Sequence, residues 1–185
     1  MAYSSLRLHL KDEFATDALA RELAAPFQTR PDDSIQPAAG GQHADRGPVL
    51  TGGTVHLKGN LGAGKTAFCR AFLRACGVTG RIKSPSYALL ETYKVSNLYC
   101  YHLDFYRFND PREWLDAGFR DLLRDDALVL IEWPEKAQGL LPPPDLLVRL
   151  DYANDGRDVE ITPFTDRGQS WLNPIVPPGM PPPAP

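Results

Sequence analysis

Eight consecutive residues, Gly59, Asn60, Leu61, Gly62, Ala63, Gly64, Lys65 and Thr66, match G-x-x-x-x-G-K-[ST] at every fixed position. The chemistry open to such a run is narrow. A polyphosphate is held when successive backbone N–H groups point into one concavity. Glycines permit the dihedrals this needs and let the backbone come close to the anion. A helix beginning at Lys65 would add the positive end of its dipole. Lys65 would reach the β- and γ-phosphates, and the Thr66 hydroxyl would ligate Mg²⁺.

Such a loop needs an acid at the end of a neighbouring strand to hold the metal, directly or through water. Two segments offer one. Leu128, Val129, Leu130 and Ile131 are four apolar residues followed by Glu132. The segment Leu98 to Asp104 also ends on an acid, with His102 two residues before it. No metal-ligand spacing surrounds His102, which reads as a structural residue. The guanine signature N-K-x-D and a D-x-x-G switch are both missing, which disfavours a GTPase. A small-molecule or nucleotide kinase stays open, because many kinases share this glycine pattern.

The elements that must position these groups alternate between two periods. Leu6 to Leu10 reads as a strand. Asp12 to Phe27 reads as a helix with Phe14, Ala18, Leu19, Leu23 and Phe27 on one face. Thr54 to Lys58 is a strand and Lys65 to Cys76 a helix, with the glycine-rich turn between them. Tyr87 to Tyr93 and Leu98 to Asp104 read as strands. Asp110, Pro111 and Glu113 form a helix start with a capping acid. Leu128 to Glu132, Asp145 to Tyr152 and Asp158 to Pro163 complete the strands. This order predicts an α/β fold of P-loop NTPase type, with a mainly parallel sheet flanked by helices and late antiparallel strands.

Residues 1–165 are expected to form one ATPase domain. Within it, Thr29 to Pro48 holds three prolines and three glycines without apolar periodicity and reads as a surface loop. Seven of the 18 prolines fall between Pro174 and Pro185, so residues 166–185 read as a disordered Pro-rich tail. The formal charge is −3 over 185 residues, without the basic excess of a non-specific nucleic-acid binder. No apolar run approaches the roughly 20 residues of a membrane span, and the opening residues lack a signal-peptide pattern. Cys69, Cys76 and Cys100 are odd in number and have no C-x-x-C spacing, which argues against a disulfide framework or structural zinc. A cytoplasmic protein is expected.

Four further blocks follow the loop in order. They are Lys83-Ser84-Pro85-Ser86-Tyr87, His102-Leu103-Asp104-Phe105-Tyr106-Arg107, Asp110-Pro111 and Ile131-Glu132-Trp133-Pro134-Glu135. A P-loop followed by SP[TS]Y, HxDxYR, DP and EWPE resembles the TsaE family, bacterial ATPases of tRNA threonylcarbamoyladenosine synthesis. The resemblance implies a Mg²⁺-dependent ATPase acting with the TsaB–TsaD complex and supporting its turnover. That complex modifies adenosine 37 of tRNA, so this chain would meet tRNA only indirectly. It also implies roles for residues. Gly59 to Thr66 would hold ATP, Thr66 and Glu132 the Mg²⁺, and Asp104 the attacking water. Ser86, usually threonine in the family, would reach the γ-phosphate or the metal shell. Trp133 and Arg157 would contact the nucleotide, and Asp12 to Thr16 would pack near the adenine. Asn60 departs from the family's usual aspartate. Slow turnover alone is expected, since fast hydrolysis usually draws on an arginine near the γ-phosphate and the sequence identifies none, with Arg107 a candidate.

Overall fold

The computed structural model describes residues 3–28, 52–137 and 139–175. Its seven strands are β1 (Leu6–Leu10), β2 (Gly53–Lys58), β3 (Leu90–Val95), β4 (Leu98–Asp104), β5 (Ala127–Glu132), β6 (Leu146–Ala153) and β7 (Gly156–Pro163). They form one sheet in the order β1-β7-β6-β2-β5-β4-β3. The centre is parallel: β2 lies between β5 and β6, and β4 joins the far side of β5. The flanks are antiparallel, β3 on β4 at one edge, β6 on β7 and β7 on β1 at the other. The expected α/β fold with late antiparallel strands is the one observed.

Parallel strands are covered on both faces, and β5 (Ala-Leu-Val-Leu-Ile-Glu) is buried along its whole length. Period-2 alternation sends its side chains to two cores. Leu128 and Leu130 join Val55, Leu57, Leu98 and Cys100 under helices α1 (Glu13–Leu23) and α2 (Lys65–Ala75). Val129 and Ile131 join Leu103, Phe105, Phe108 and Trp114 on the other face. That second core is closed by the short helix α3 (Glu113–Asp116). Here the Glu113 carboxylate accepts from the N–H groups of Asn109 and Asp110, and Asp110 accepts from the Arg112 N–H, but the helix starts only at Glu113, with Arg112 at its N-cap and no side-chain cap, and lasts one turn.

Three expectations need correction. In α1 the buried stripe is Thr16, Leu19, Ala20 and Leu23, whereas Phe14 is 85% exposed and Ala18 is exposed. Thr16 can take a core position because its hydroxyl donates to the Asp12 carbonyl at 3.1 Å. The strand read from Tyr87 begins instead at Leu90, and Tyr87 lies in the preceding turn, 85% exposed. Finally, the stretch after residue 165 does not begin as a tail. Helix α4 (Asp166–Leu172) is capped by the Thr165 hydroxyl, which accepts from the Gly168 N–H. Trp171, Leu172 and Ile175 of this stretch enter the α1–α2 core, and the Trp171 ring meets Phe27 edge-on at 4.8 Å. Two aromatic residues outweigh the proline count, which is concentrated further on. The loop read at 29–48 and the prolines beyond residue 175 lie outside the described residues. Among the described residues no helix is long and apolar enough to cross a membrane.

Candidate functional site

Parallel pairing places the ends of β2, β4 and β5 side by side, at the edge where a ligand can meet several loops. The register sets Asp104 opposite Glu132 and Leu57 also opposite Glu132. In β5 residues 128 and 130 face α2, so Glu132 faces α2 as well. In β4 residues 98 and 100 face α2, so His102 and Asp104 do too. Two carboxylates and one imidazole therefore converge beneath the loop that joins β2 to α2.

That loop is Gly59 to Gly64. Gly64 has φ +103°, a conformation that favours glycine, and a Cβ there would press on the Arg157 guanidinium. Lys65 is buried, and its Nζ donates to the Gly59 carbonyl at 2.6 Å and the Asn60 carbonyl at 2.9 Å. The same ammonium stands 3.8 Å from the centre of the Trp133 ring. Burial lowers the Lys65 pKa from its ordinary value, and the Glu132, Glu135 and Asp104 carboxylates oppose that shift. Trp133 has φ +58°, a strained conformation for a bulky residue and one that aims its indole at the loop. Tyr106 packs against it, with ring centres 5.1 Å apart.

The Thr66 hydroxyl donates to Glu132 Oε2 at 2.9 Å, and Glu132 is buried. Asp104, also buried, accepts from the Ser86 hydroxyl at 2.8 Å and from the Tyr106 N–H at 2.9 Å. Ser84 and Ser86 share a hydrogen bond at 2.7 Å. Leu61, Gly62, Gly64, Lys65, Thr66, Ser86, Asp104, Tyr106, Glu132 and Trp133 line one cleft of about 170 Å³. The donor set of hydroxyls and carboxylates suits a hard divalent cation of the Mg²⁺ class, held directly or through water.

The other sequence-predicted residues fall as follows. Asn60 and Leu61 are exposed at the loop tip, and Ala63 is buried beneath it. Arg157 lies at the near end of β7, against Gly64, and its Nη1 is buried without a hydrogen-bond partner among the described residues. Arg107 does not line the cleft: its guanidinium lies over the Tyr87 ring at 4.2 Å and donates to the Ser86 carbonyl. Asp12 to Thr16 do not line it either. Asp12 caps α1 by accepting from the Ala15 N–H.

One contributor escaped the sequence reading, and a second, His102, was read there as structural only. Tyr152 of β6 donates its hydroxyl to the Leu61 carbonyl at 2.7 Å and so holds the loop tip from the far side. His102 Nε2 meets Glu132 Oε1 at 2.8 Å, with both side chains buried. Its place two residues before Asp104 was the available signal, since period-2 spacing puts both on one face. Cys69 of α2 lies close as well, with donor atoms of Cys69, His102 and Glu132 within 4.8 Å of one another. Burial, with the Glu132 and Asp104 carboxylates, pushes the Cys69 thiol well up. Cys69 is wholly buried and packs in the α1–α2 core under the site.

A model of the family described as "Threonylcarbamoyl adenosine biosynthesis protein TsaE" matches residues 10–159. A Haemophilus influenzae protein named tRNA threonylcarbamoyladenosine biosynthesis protein TsaE is 45% identical over 119 residues, which are 64% of this chain and 75% of that one. The Bacillus subtilis protein of the same name is 33% identical over 125 residues, 67% of this chain and 75% of its own. The crystal structure of YdiB from Bacillus subtilis superposes with a TM-score of 0.68 over 94% of this chain and 95% of that one. Its 20% identity makes this a likeness of fold alone. The family match runs from the end of β1 into β7 and contains every residue of the cleft: this chain belongs to the TsaE family.

Proposed function

We propose that this chain binds ATP with Mg²⁺, hydrolyses it, and serves the synthesis of threonylcarbamoyladenosine in tRNA by acting on a TsaB–TsaD complex. The observation that carries the reading is the convergence of Lys65, Thr66, Asp104 and Glu132 on one cleft beneath a glycine loop. Bound Mg²⁺ would supply charge neutralisation for the phosphates. The protein's part is positioning. Loop N–H groups and the start of α2 receive the phosphates, and Lys65 exchanges its two carbonyl partners for phosphate oxygens. The Thr66 hydroxyl donates to Glu132, which leaves its oxygen lone pairs free for the metal. Asp104, held by Ser86 and by the Tyr106 N–H, keeps acceptor capacity to orient a water. Trp133 and Tyr106 form the cleft's aromatic wall. Arg157 brings an unpaired guanidinium nitrogen to the loop's edge.

Among the described residues no arginine lines the cleft. Slow hydrolysis by the chain alone, with catalytic help from a partner, is part of the same proposal: an arginine at the γ-phosphate contributes about 10³–10⁵ in rate, and Arg107 is held on the Tyr87 ring and the Ser86 carbonyl. The experiment is ATP hydrolysis by the chain alone and with purified TsaB–TsaD of the same source. A low rate that climbs on adding the complex supports the proposal. Transfer of the γ-phosphate to a small acceptor would replace it with a kinase.

A further inference from the structure

His102 has no evident structural reason to be an imidazole. It is wholly buried on the β4 face that also carries Leu98 and Cys100, and its Nδ1 has no hydrogen-bond partner among the described residues. A buried polar atom left unpaired costs stability, so an apolar side chain would serve the fold better at this position. What the imidazole adds is one contact, Nε2 to Glu132 Oε1 at 2.8 Å. We assign the imidazole as the donor of this bond, through Nε2–H, and the carboxylate as its acceptor.

We propose that His102 is the positioning residue for the Mg²⁺ end of the cleft. By donating to Glu132 Oε1 it turns Oε2 toward the Thr66 hydroxyl, and so presents the Thr66 oxygen to the metal. The inference rests on the Mg²⁺·ATP reading above. The chain of contacts is unbroken. His102 Nε2–H holds Oε1, the rigid carboxylate fixes Oε2, and Oε2 accepts the Thr66 proton at 2.9 Å. Asp104, the other acid of the cleft, is held by a separate pair of donors, Ser86 and the Tyr106 N–H. Each carboxylate thus has its own orienting partners, and loss of His102 should disturb the metal end while sparing the water-positioning end. Partners that orient a metal-binding group typically change metal affinity roughly 10–100-fold when removed.

The test uses the full chain and three variants, His102→Leu, His102→Gln and His102→Asn. ATP binding is measured by calorimetry in EDTA and across a Mg²⁺ titration, with thermal melts as the check on folding. The expected result is a Mg²⁺ half-saturation raised roughly 10–100-fold in His102→Leu, with ATP affinity in EDTA unchanged. His102→Gln should recover most of the loss, because its amide nitrogen reaches the place of Nε2. His102→Asn should not, because its amide stops near Nδ1. The Gln–Asn contrast decides the matter even where His102→Leu fails to fold. A wild-type Mg²⁺ half-saturation in folded His102→Leu, or equal behaviour of the Gln and Asn variants, would overturn the proposal while leaving Mg²⁺·ATP binding intact. If the unaltered chain itself bound ATP without any gain from Mg²⁺, the parent reading would fall, and this inference with it.

Discussion

Acid sensitivity should be written into β2, the strand that feeds the glycine loop. His56, in β2, points away from the α1–α2 core, is 6% exposed, and has Nε2 buried without a partner. Burial, with Lys58 beside it, lowers its pKa from 6.5 to about 3. The groove at its side is lined by Pro142, Pro143, Pro144 and Phe164, with Lys58 and Glu135 as the charged groups. Between these two pKa values the unfolded chain binds a proton that the folded chain refuses. Stability therefore rises with pH in that window and is lost as pH falls from 6.5 toward 3. One pKa unit corresponds to about 1.4 kcal/mol, so lowering the pH from 7 to 5 should cost about 2 kcal/mol through His56 alone. For a chain of this size that is about 4–8 °C in melting temperature. The assay is urea unfolding of the chain and of His56→Met at both pH values. Other titrating groups act equally in both proteins, so the difference between the two pH slopes isolates His56. The variant should lose about 2 kcal/mol less than the parent on acidification. Parallel slopes would refute the reasoning, because they would mean that the folded protein accepts the proton.

Replacing Lys65 by alanine removes a cation from the phosphates. Hydrogen bonds to charged groups contribute about 1.5–3 kcal/mol, so calorimetry in Mg²⁺ should show ATP binding weakened by about 10- to 150-fold, and an unchanged Kd would contradict the assigned cleft. Asp104→Asn should bind ATP within a few-fold of the parent while phosphate release falls about 10²–10⁴-fold; hydrolysis at the parent rate would remove Asp104 from the chemistry. Trp171→Ala should destabilise the protein by about 3–5 kcal/mol in urea, since it empties a buried site against Phe27. A loss below about 1 kcal/mol would return residues 166–175 to the status of a tail.

The glycine loop between β2 and α2 was legible from residue types because its shape is a backbone property. Gly59, Gly62 and Gly64 take positive φ values, so glycines at that spacing set the turn from which the helix beginning at Lys65 starts. The strand core was legible for a similar reason. An all-apolar run such as Ala127 to Ile131 suits a central strand covered on both faces, and the acid that ends it must fall at the strand's exit. Local pattern gave less where it competes with burial. The face of α1 was misread because Thr16 enters the core by bonding its hydroxyl to its own helix, while Phe14 stays outside. The helix beyond residue 165 was hidden by a proline count that belongs to the residues after it.

What only the tertiary structure decided is which groups meet. Parallel pairing of β4 with β5 brings Asp104 beside Glu132, 28 positions apart in sequence, and places His102 on the same face. The antiparallel β6–β7 pair carries Tyr152 and Arg157 back to the loop from the opposite side. Lys65 rests on Trp133 because β5 ends directly beside β2, with the Trp133 N–H donating to the Leu57 carbonyl at 3.2 Å. A chain's local sequence sets each residue's chemistry and the face of the element it occupies. Strand order and register are settled by non-local burial and ladder hydrogen bonds, and they choose the neighbours on which an ammonium, a carboxylate or an imidazole depends.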